Sequence, residues 1–309
     1  MATALRDLWT RFLGRLANVF LRPSVVSDPR NFSYWEEHGY HVTPAHFYQP
    51  VPDTRALGAG YPGRSSAAGV DLRVERQEGL LRDLSARFGA EWAAVPRRAP
   101  SPLSFGLDND AFTGIDPLVY HGMIRHLRPK RLIEAGSGHS TLLAFDTIRA
   151  HGLDTHLSVI DPEPRWFVRD LARRNASRID LRTQAVETMD PGFFLALREN
   201  DVLFIDTSHV VRTGGDVVFL LLEVVPRLAA GVVVHLHDIY LPYEYPREVV
   251  LGDRHFFTEQ YLLQAYLAGN AGVEVLFASH LMCRERAELV RAVFPTASLW
   301  GGSFWFRKG

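Results

Sequence analysis

RLIEAGSGHST, residues 131–141, is the stretch that decides the fold. A short apolar strand runs up to Glu134, and Gly136 and Gly138 follow with the small Ser137 between them. Glycine allows unusual backbone angles and lets a ligand approach the main chain closely. The helix predicted to follow would present free N–H groups and the positive end of its dipole to this turn. The pattern therefore predicts a nucleotide-like cofactor at the end of the strand.

The stretch belongs to an alternating series of elements that begins near Ile115. Short apolar strands are predicted at 131–134, 157–161, 180–184, 201–206, 231–237, 273–279 and 303–307. Helices are predicted at 116–127, 140–151, 164–175, 190–198, 214–227, 256–268 and 284–293. Such alternation indicates an α/β fold with a doubly wound, mostly parallel sheet. Ligands of these sheets bind beyond the carboxyl ends of the strands, at the topological switch point.

Composition narrows the class of protein. The 309 residues are 47% hydrophobic and 22% charged, which is typical of a globular protein with ample core. A formal net charge of −1 gives no support for a nucleic-acid partner. Cys283 is the single cysteine, so no internal disulfide can form, and a reducing cytoplasm is expected. No apolar run approaches the ~20 residues that would span a bilayer.

The N-terminal third has a different character, and we predict two domains, 1–104 and 105–309. Apolar residues recur at helical spacing near the start, among arginines: Leu5, Leu8, Trp9, Phe12, Leu13, Leu16 and Phe20. This helix is expected to pack on its own domain or on a second copy, and an interfacial membrane helix or transit peptide is the alternative. Residues 22–69 read as a loop-rich segment, and a helix is predicted from about Asp71 to Phe88. The extension is therefore a predicted lid or dimerisation segment.

The glycine turn is compatible with two kinds of cofactor, a dinucleotide or S-adenosylmethionine. A dinucleotide fold usually shows G-x-G-x-x-G/A, whereas Thr141 occupies the third small position here. Asp161, at the end of the second strand, can accept hydrogen bonds from both ribose hydroxyls. An acid there suits NAD or S-adenosylmethionine (SAM) equally, and a helix cap before Pro162 is its structural alternative. Glu187, after the third strand, is expected near an adenine ring.

Several motifs together resemble one family. Glu134-x-Gly136-x-Gly138 resembles motif I of the class I SAM-dependent methyltransferases, and the chain closes in GGSFWFRKG, which resembles the last strands of their seven-stranded sheet. FGLDNDAF, IDTSH and VVVHLHDIYLPYEYP add a resemblance, over roughly residues 105–309, to a bacterial small-molecule subgroup related to macrocin-type O-methyltransferases. The resemblance implies a Rossmann-like seven-stranded sheet with helices on both faces. It also implies SAM as cofactor, bound through Glu134, Gly136, Ser137, Gly138, Asp161 and Glu187.

Ligand-type side chains follow the fourth and fifth strands. IDTSH places Asp206 at one strand end with His209 three residues on, and HLHD places His237 and Asp238 at the next. Imidazole and carboxylate together suit a divalent metal. In the macrocin-type relatives one carboxylate after the fourth strand and an acidic pair after the fifth hold magnesium. Asp206 and Asp238 match two of these positions, while His237 replaces a carboxylate and shifts the expected metal from Mg²⁺ toward Mn²⁺, Fe²⁺ or Zn²⁺.

His209 matches the position at which the same relatives place a general base. A neutral imidazole with a pKa near ~6.5 can take a hydroxyl proton at physiological pH. The neighbouring His235 is expected to be a buried, hydrogen-bonded residue of its strand, and a structural hydrogen bond is the alternative role of His237. Tyr240, Tyr243 and Tyr245 either line a substrate pocket or wedge their loop against another segment.

These expectations predict methyl transfer from SAM to a small molecule, most readily at oxygen, with metal assistance and a histidine base. The main rival is a metal-dependent hydroxylase or hydrolase on the same fold, since cephalosporin-hydroxylase-like proteins lie close to this group. A binding protein that keeps the cofactor pocket without chemistry is a third alternative. The intact Asp and His residues disfavour it.

Overall fold

The computed structural model describes residues 2–20, 25, 28–57, 61, 63 and 67–309. Backbone contacts divide the chain into two compact units, Met1–Ala59 and Gly60–Gly309. The first unit contains two helices, α1 (Ala2–Phe20) and α2 (Pro29–Glu37). Asp28 caps α2 by accepting from the Arg30 N–H at 2.9 Å. Parts of the loop-rich segment predicted at 22–69 lie outside the described residues, and the predicted boundary at 104/105 stays a prediction.

The second unit is built on a seven-stranded sheet. Its strands are β1 (Arg131–Ala135), β2 (His156–Ile160), β3 (Ile179–Arg182), β4 (Val202–Ile205), β5 (Val233–Leu236), β6 (Val273–Ala278) and β7 (Phe304–Lys308). The strand order is β3-β2-β1-β4-β5-β7-β6, and only β7 runs antiparallel to its neighbours. This confirms the predicted Rossmann-like methyltransferase sheet. β2 and β3 lie on one side of β1, and β4 and the later strands lie on the other side, so the topological switch point is between β1 and β4.

Helices cover both faces of the sheet. They are α3 (Val74–Ala93), α4 (Asp116–Leu127), α5 (His139–Ala150), α6 (Trp166–Arg174), α7 (Asp216–Val218), α8 (Glu259–Leu267), α9 (Ser279–Glu285) and α10 (Ala287–Val293). Alternate strand residues face opposite sides, as pleating requires. Leu132 therefore joins the core under α4 and α5, whereas the adjacent Ile133 joins the core on the other face.

Three predicted helices differ from the observed elements. The 214–227 segment is one α-turn followed by a π-helix, Phe219–Val224, and a 3-10 turn that contains Pro226. Proline removes a backbone donor and prevents a regular α-helix there. The 190–198 segment is a 3-10 helix, Pro191–Ala196. The helix predicted at 284–293 is preceded by a second one, α9, that begins directly after β6.

Among the described residues, no helix combines the length and the apolar character that crossing a bilayer requires.

Candidate functional site

The register of the sheet aligns four strand ends. Ala135 pairs with Ile160 on one side and with Ile205 on the other, and Ile205 pairs with Leu236. The residues that follow these strands are Gly136, Asp161, Asp206 and His237. Four residues predicted from widely separated motifs therefore lie side by side at the carboxyl edge of the sheet.

A cavity of about 310 Å³ opens at this edge. Gly136, Ser137, Asp161 and Glu187 line it, which are four of the six residues predicted to contact the cofactor. The hydroxyl of Ser137 donates to Asp161 Oδ2 at 2.5 Å, and the Glu163 N–H donates to Asp161 Oδ1 at 2.8 Å. These bonds fix the carboxylate of Asp161 at the cavity wall. Arg212 and Asp216, which were not predicted from the sequence, also line the cavity.

Glycine is required at position 136 by a close approach of two strand ends. Its φ is +89°, and a Cβ atom built there would lie 1.8 Å from the main-chain oxygen of Asp206. The backbone N–H of Asp206 meanwhile donates to the Ala135 carbonyl at 2.8 Å. The glycine turn is thus the contact that brings the ends of β1 and β4 together, in addition to forming the cavity wall.

Glu134 and Gly138 lie away from the cavity lining. Glu134 is fully buried and accepts from Tyr120 Oη at 2.9 Å and from Thr141 Oγ1 at 2.5 Å. Burial raises the pKa of Glu134 to about 7. Gly138 is the residue that precedes α5. Contact of these two residues with a cofactor stays a prediction.

Beside the cavity lies a group of four side chains, Asp206, His209, His237 and Asp238, which we call the Asp–His cluster. His209 Nε2 is 3.3 Å from Asp206 Oδ1 and 3.7 Å from Asp238 Oδ2. His237 Nδ1 is 3.6 Å from Asp206 Oδ1 and 3.7 Å from Asp238 Oδ1. Both imidazoles therefore flank the same two carboxylates, and Asp206 belongs to the cluster and to the cavity wall.

The backbone of the cluster is strained at two positions. His209 has φ +58° and Asp238 has φ +54°, in the left-handed region that residues other than glycine rarely adopt. Such conformations concentrate at functional sites, where the surrounding structure holds them in place. Here the His209 carbonyl accepts from the backbone N–H groups of Thr258 and Glu259 at 2.8 and 3.0 Å.

The acids and the imidazoles of the Asp–His cluster shift each other's pKa values strongly. Burial opposes protonation of both histidines, but Asp206 with Glu259 outweighs it for His209, and Asp206 with Asp238 outweighs it for His237. The pKa of each imidazole is consequently raised well above its ordinary value. Although burial acts in the opposite direction, the imidazoles hold the pKa of Asp206 well below its usual range.

Two partners of the cluster were missed by the sequence analysis. Glu259 is fully buried in the first turn of α8, and its Oε2 is 2.9 Å from His209 Nδ1. Asp116, in the first turn of α4, lies 3.4 Å from His237 Nε2 and accepts from the Gly302 N–H at 2.7 Å. Both are acids at helix starts, where a capping role is the ordinary interpretation. Only the fold shows that they face histidines.

His235 has the structural role that was expected for it. Its ring stacks between Phe204 and Trp305, with centroids 4.1 and 3.8 Å away, and its Nε2 is 2.8 Å from Ser303 Oγ. Burial lowers the pKa of His235 well below the ordinary value, so the ring is neutral.

The three tyrosines that follow the cluster are held by hydrogen bonds. Tyr240 and Tyr245 are almost fully buried. Tyr240 Oη donates to Asp238 Oδ1 at 2.8 Å, and Tyr245 Oη accepts from the Gln260 N–H at 2.9 Å. Tyr243 Oη donates to Glu285 at 3.0 Å. Tyr240 therefore orients a carboxylate of the cluster, and direct contact of the tyrosines with a substrate stays a prediction.

The donor set of the Asp–His cluster fits a divalent cation. Ligand atoms around a tetrahedral or octahedral ion with bonds of about 2.0–2.2 Å lie roughly 3–3.6 Å apart, close to the separations observed here. Asp206, His209 and Asp238 each offer a ligand atom within 4.8 Å of the others, whereas the predicted ligand His237 is not in this group. Two carboxylates with imidazole nitrogen suit Mn²⁺, Fe²⁺ or Zn²⁺ better than Mg²⁺. The contact of 2.9 Å between His209 Nδ1 and Glu259 Oε2 fixes the orientation of the His209 ring.

Comparison with known proteins gives a family model and one related sequence. Residues 133–239 match the model of a methyltransferase domain. An uncharacterised protein of Archaeoglobus fulgidus is 30% identical over 181 residues, which cover 55% of this chain and 80% of that protein.

Solved structures resemble the chain more distantly. PaMTH1, a methyltransferase of Podospora anserina bound to S-adenosylhomocysteine (SAH), has 15% identity and a TM-score of 0.40. The match covers 62% of this chain and 77% of the PaMTH1 chain. CmcI with Mg and SAM has 18% identity and a TM-score of 0.37, covering 63% of this chain and 71% of its own.

Proposed function

Because this chain belongs to the SAM-dependent methyltransferases, we propose that it methylates a small molecule at a hydroxyl oxygen, with a divalent cation beside the reacting groups. We also place it in the macrocin-type subgroup, on the sequence motifs that suggested it. The observation that supports the site most directly is the position of Asp206. This residue lies both on the wall of the 310 Å³ cavity and in the Asp–His cluster, so donor and acceptor would meet across one carboxylate.

The residues of the cavity would hold the donor. Asp161, fixed by Ser137, would accept hydrogen bonds from the ribose hydroxyls, and Glu187 would lie near the adenine ring. Gly136 leaves the space that a side chain would fill. These contacts would hold SAM beside Asp206, which follows β4.

The Asp–His cluster would hold the cation and move the proton. Asp206, His237 and Asp238 are the proposed ligands, and His209 is the proposed base. When bound, a cation would make the acceptor hydroxyl more acidic and offset the carboxylate charge that keeps His209 protonated. Neutral His209 would accept the hydroxyl proton at Nε2, while Glu259 keeps the proton on Nδ1 and fixes the ring.

The transfer is an in-line displacement. A bond forms between the acceptor oxygen and the methyl carbon as the carbon–sulfur bond breaks. The sulfur keeps the electron pair and S-adenosylhomocysteine (SAH) leaves. The chain contributes position and proton removal, and the buried side chains of His209, His237 and Glu259 limit the reorganisation that the step requires.

Calorimetric titration with SAM and SAH, with and without EDTA, tests this function. We expect both to bind, and we expect turnover with an acceptor to require the cation. If neither molecule binds, the methyltransferase proposal is wrong and the hydroxylase or hydrolase alternative gains. If turnover continues in EDTA, the proposed role of the cation is wrong, whereas the proposed SAM site is not affected.

We also propose that α1 mediates self-association of the chain in the cytoplasm. Leu8, Trp9, Phe12 and Leu13 are each more than half exposed on this helix. An exposed apolar surface of this kind is typical of an interaction site.

A further inference from the structure

A second cluster of ligand-type side chains lies on the helices that cover one face of the sheet. Glu91 is on α3, His121 is on α4, and His151 directly follows α5. His121 Nε2 is 2.9 Å and His151 Nε2 is 3.2 Å from the same atom, Glu91 Oε2. We call these three residues the Glu–His–His cluster. The methyl-transfer site does not include them.

The separations resemble those of a metal site. Ligand atoms around tetrahedral Zn²⁺, with bonds of about 2.0–2.1 Å, lie roughly 3.3 Å apart. The three ligand atoms of this cluster lie within 4.8 Å of one another. The two rings cross at 71°, with centroids 5.5 Å apart, and the Nε2 atoms of both face Glu91 Oε2.

The hydrogen bonds of His121 favour the tautomer that ligates a metal. Thr147 Oγ1 donates its proton to the Leu143 carbonyl at 2.8 Å, which leaves the hydroxyl oxygen to accept from His121 Nδ1 at 3.0 Å. With the proton on Nδ1, a neutral His121 directs the lone pair of Nε2 at the Glu91 carboxylate. In this tautomer Nε2 is available to bind a cation beside Glu91 Oε2, which lies 2.9 Å away.

The alternative, a charged imidazole, is disfavoured by the surroundings. His121 is buried, and burial lowers its pKa in spite of Glu91. Burial and the nearby Arg125 lower the pKa of His151 as well.

Arg125 supplies the outer contact of the cluster. Its Nε and Nη2 bind the two oxygens of Glu91 at 2.8 and 2.9 Å. A metal at Oε2 would compete with the bond from Nε, while the bond from Nη2 to Oε1 would keep the carboxylate in place. The guanidinium therefore orients Glu91.

One side of the cluster is open. Glu91, His121 and His151 line a groove of about 550 Å³ whose other walls include Val95, Phe105 and Leu143. A site with three protein ligands keeps a fourth position for water or another small ligand, and this groove provides the room.

From this geometry we infer that Glu91, His121 and His151 form a Zn²⁺ site whose fourth position faces the groove. Two imidazoles and one carboxylate select Zn²⁺ over Mg²⁺ or Ca²⁺. The site is separate from the Asp–His cluster, since its residues lie on the helical layer and His151 lies at the end of α5 far from the glycine turn.

Equilibrium dialysis against ZnCl₂ tests the inference in the full chain. The background carries Asp206→Ala and Asp238→Ala, so that the Asp–His cluster keeps no carboxylate. We expect one Zn²⁺ per chain, and we expect His151→Gln to weaken binding at least tenfold. His156→Gln is the matched control, because this exposed histidine lies five residues further along and outside the cluster.

Three outcomes would overturn the inference: no Zn²⁺ bound in the background chain, equal affinity after His151→Gln, or equal losses for His151→Gln and His156→Gln. Circular dichroism of each variant verifies folding. His151 is the better position for the test because it is only partly buried, whereas replacement of buried His121 risks the core. Since dialysis reads metal and not methyl transfer, its result does not depend on the proposed function.

Discussion

His209 is the residue on which the proposed chemistry depends most. Its two nitrogens have different tasks, because Nδ1 binds buried Glu259 at 2.9 Å and Nε2 faces the two carboxylates of the Asp–His cluster. This arrangement is that of an oriented base whose second nitrogen is held by an acid. The φ of +58° at His209 shows that the backbone is bent to achieve it.

Replacing His209 tests the base directly. We expect His209→Ala to lower turnover by roughly two to four orders of magnitude, because proton removal from the acceptor is lost. Titration with SAH should show little change, since His209 does not line the donor cavity. Unchanged turnover would refute the role of base. His255→Ala, an exposed histidine outside the Asp–His cluster, is the control.

Glu259 should act only through His209. Glu259→Gln keeps the size of the side chain but weakens the hold on Nδ1, and we expect turnover to fall about 10–100-fold. A pH–rate profile separates orientation from folding, because loss of the Glu259 carboxylate should lower the pKa of His209 and move the acid limb to lower pH. A variant with wild-type rate and profile would show that Glu259 only packs the core.

Glu134 makes stability depend on pH. Its pKa is raised to about 7 from 4.5 by burial, so the folded chain retains a proton that the unfolded chain has lost. The associated stability is fully present below about pH 4.5 and is lost as pH rises through 7, and it amounts to about 3 kcal/mol. Urea unfolding at pH 5 and pH 8 should show this fall in wild type.

Glu134→Gln is the variant that isolates this effect. It keeps groups that can bond Tyr120 and Thr141 but cannot ionise, so the fall in unfolding free energy between the two pH values should be smaller by about 3 kcal/mol. Exposed Glu163→Gln should leave the fall as in wild type. An equal fall in the Glu134 variant would contradict the assignment.

At the scale of elements, the contact between the ends of β1 and β4 determines where the site forms. A Cβ at Gly136 would overlap the Asp206 carbonyl at 1.8 Å, and backbone cannot move aside as a flexible side chain can. We expect Gly136→Ala to cost about 3 kcal/mol or more in unfolding free energy, or to prevent folding.

Gly152 is the matched control for that substitution. It also has a positive φ, +57°, but a Cβ there would meet nothing within 4 Å. Gly152→Ala therefore carries the conformational strain alone, about 1 kcal/mol. Equal losses in the two variants would show that strain, and not the contact with Asp206, sets the requirement for glycine.

The strands were easier to predict from the sequence than the acids that contact the histidines of the Asp–His cluster. Strand ends were predictable because apolar runs stop at Glu134, Asp161, Asp206 and His237, and parallel register then places these ends together. Glu259 and Asp116 were not predictable, since each is an acid in the first turn of a helix and reaches its histidine only through tertiary packing. Such contacts have no local pattern.

At the scale of the whole molecule, each unit has its own character. Met1–Ala59 exposes apolar side chains on α1, whereas Gly60–Gly309 contains the sheet and both described clusters of ligands. The predicted division at 104/105 would separate α3 from the sheet. Within the second unit, however, α3 contributes Leu81, Leu84 and Phe88 to the core that α4 and β1 share.

Self-association through α1 can be tested by placing charged residues on its exposed apolar surface. Trp9→Asp together with Leu13→Asp places two acids among the exposed apolar residues. Light scattering after gel filtration should give a mass of one chain for the double variant and a larger mass for wild type. An unchanged mass would remove this role, and binding of the wild type to vesicles would favour the membrane alternative.

The most direct measurement of the central claim is hydrogen–deuterium exchange with and without SAH. The amides of residues 136–138, 161–163 and 185–188, which surround the 310 Å³ cavity, should exchange more slowly when SAH is bound. The groove segment 94–105, remote from this cavity, should exchange as before. Protection confined to the first three segments is the predicted result. If SAH binds and these segments keep their exchange rates, the donor does not lie at the glycine turn and the proposed site is wrong.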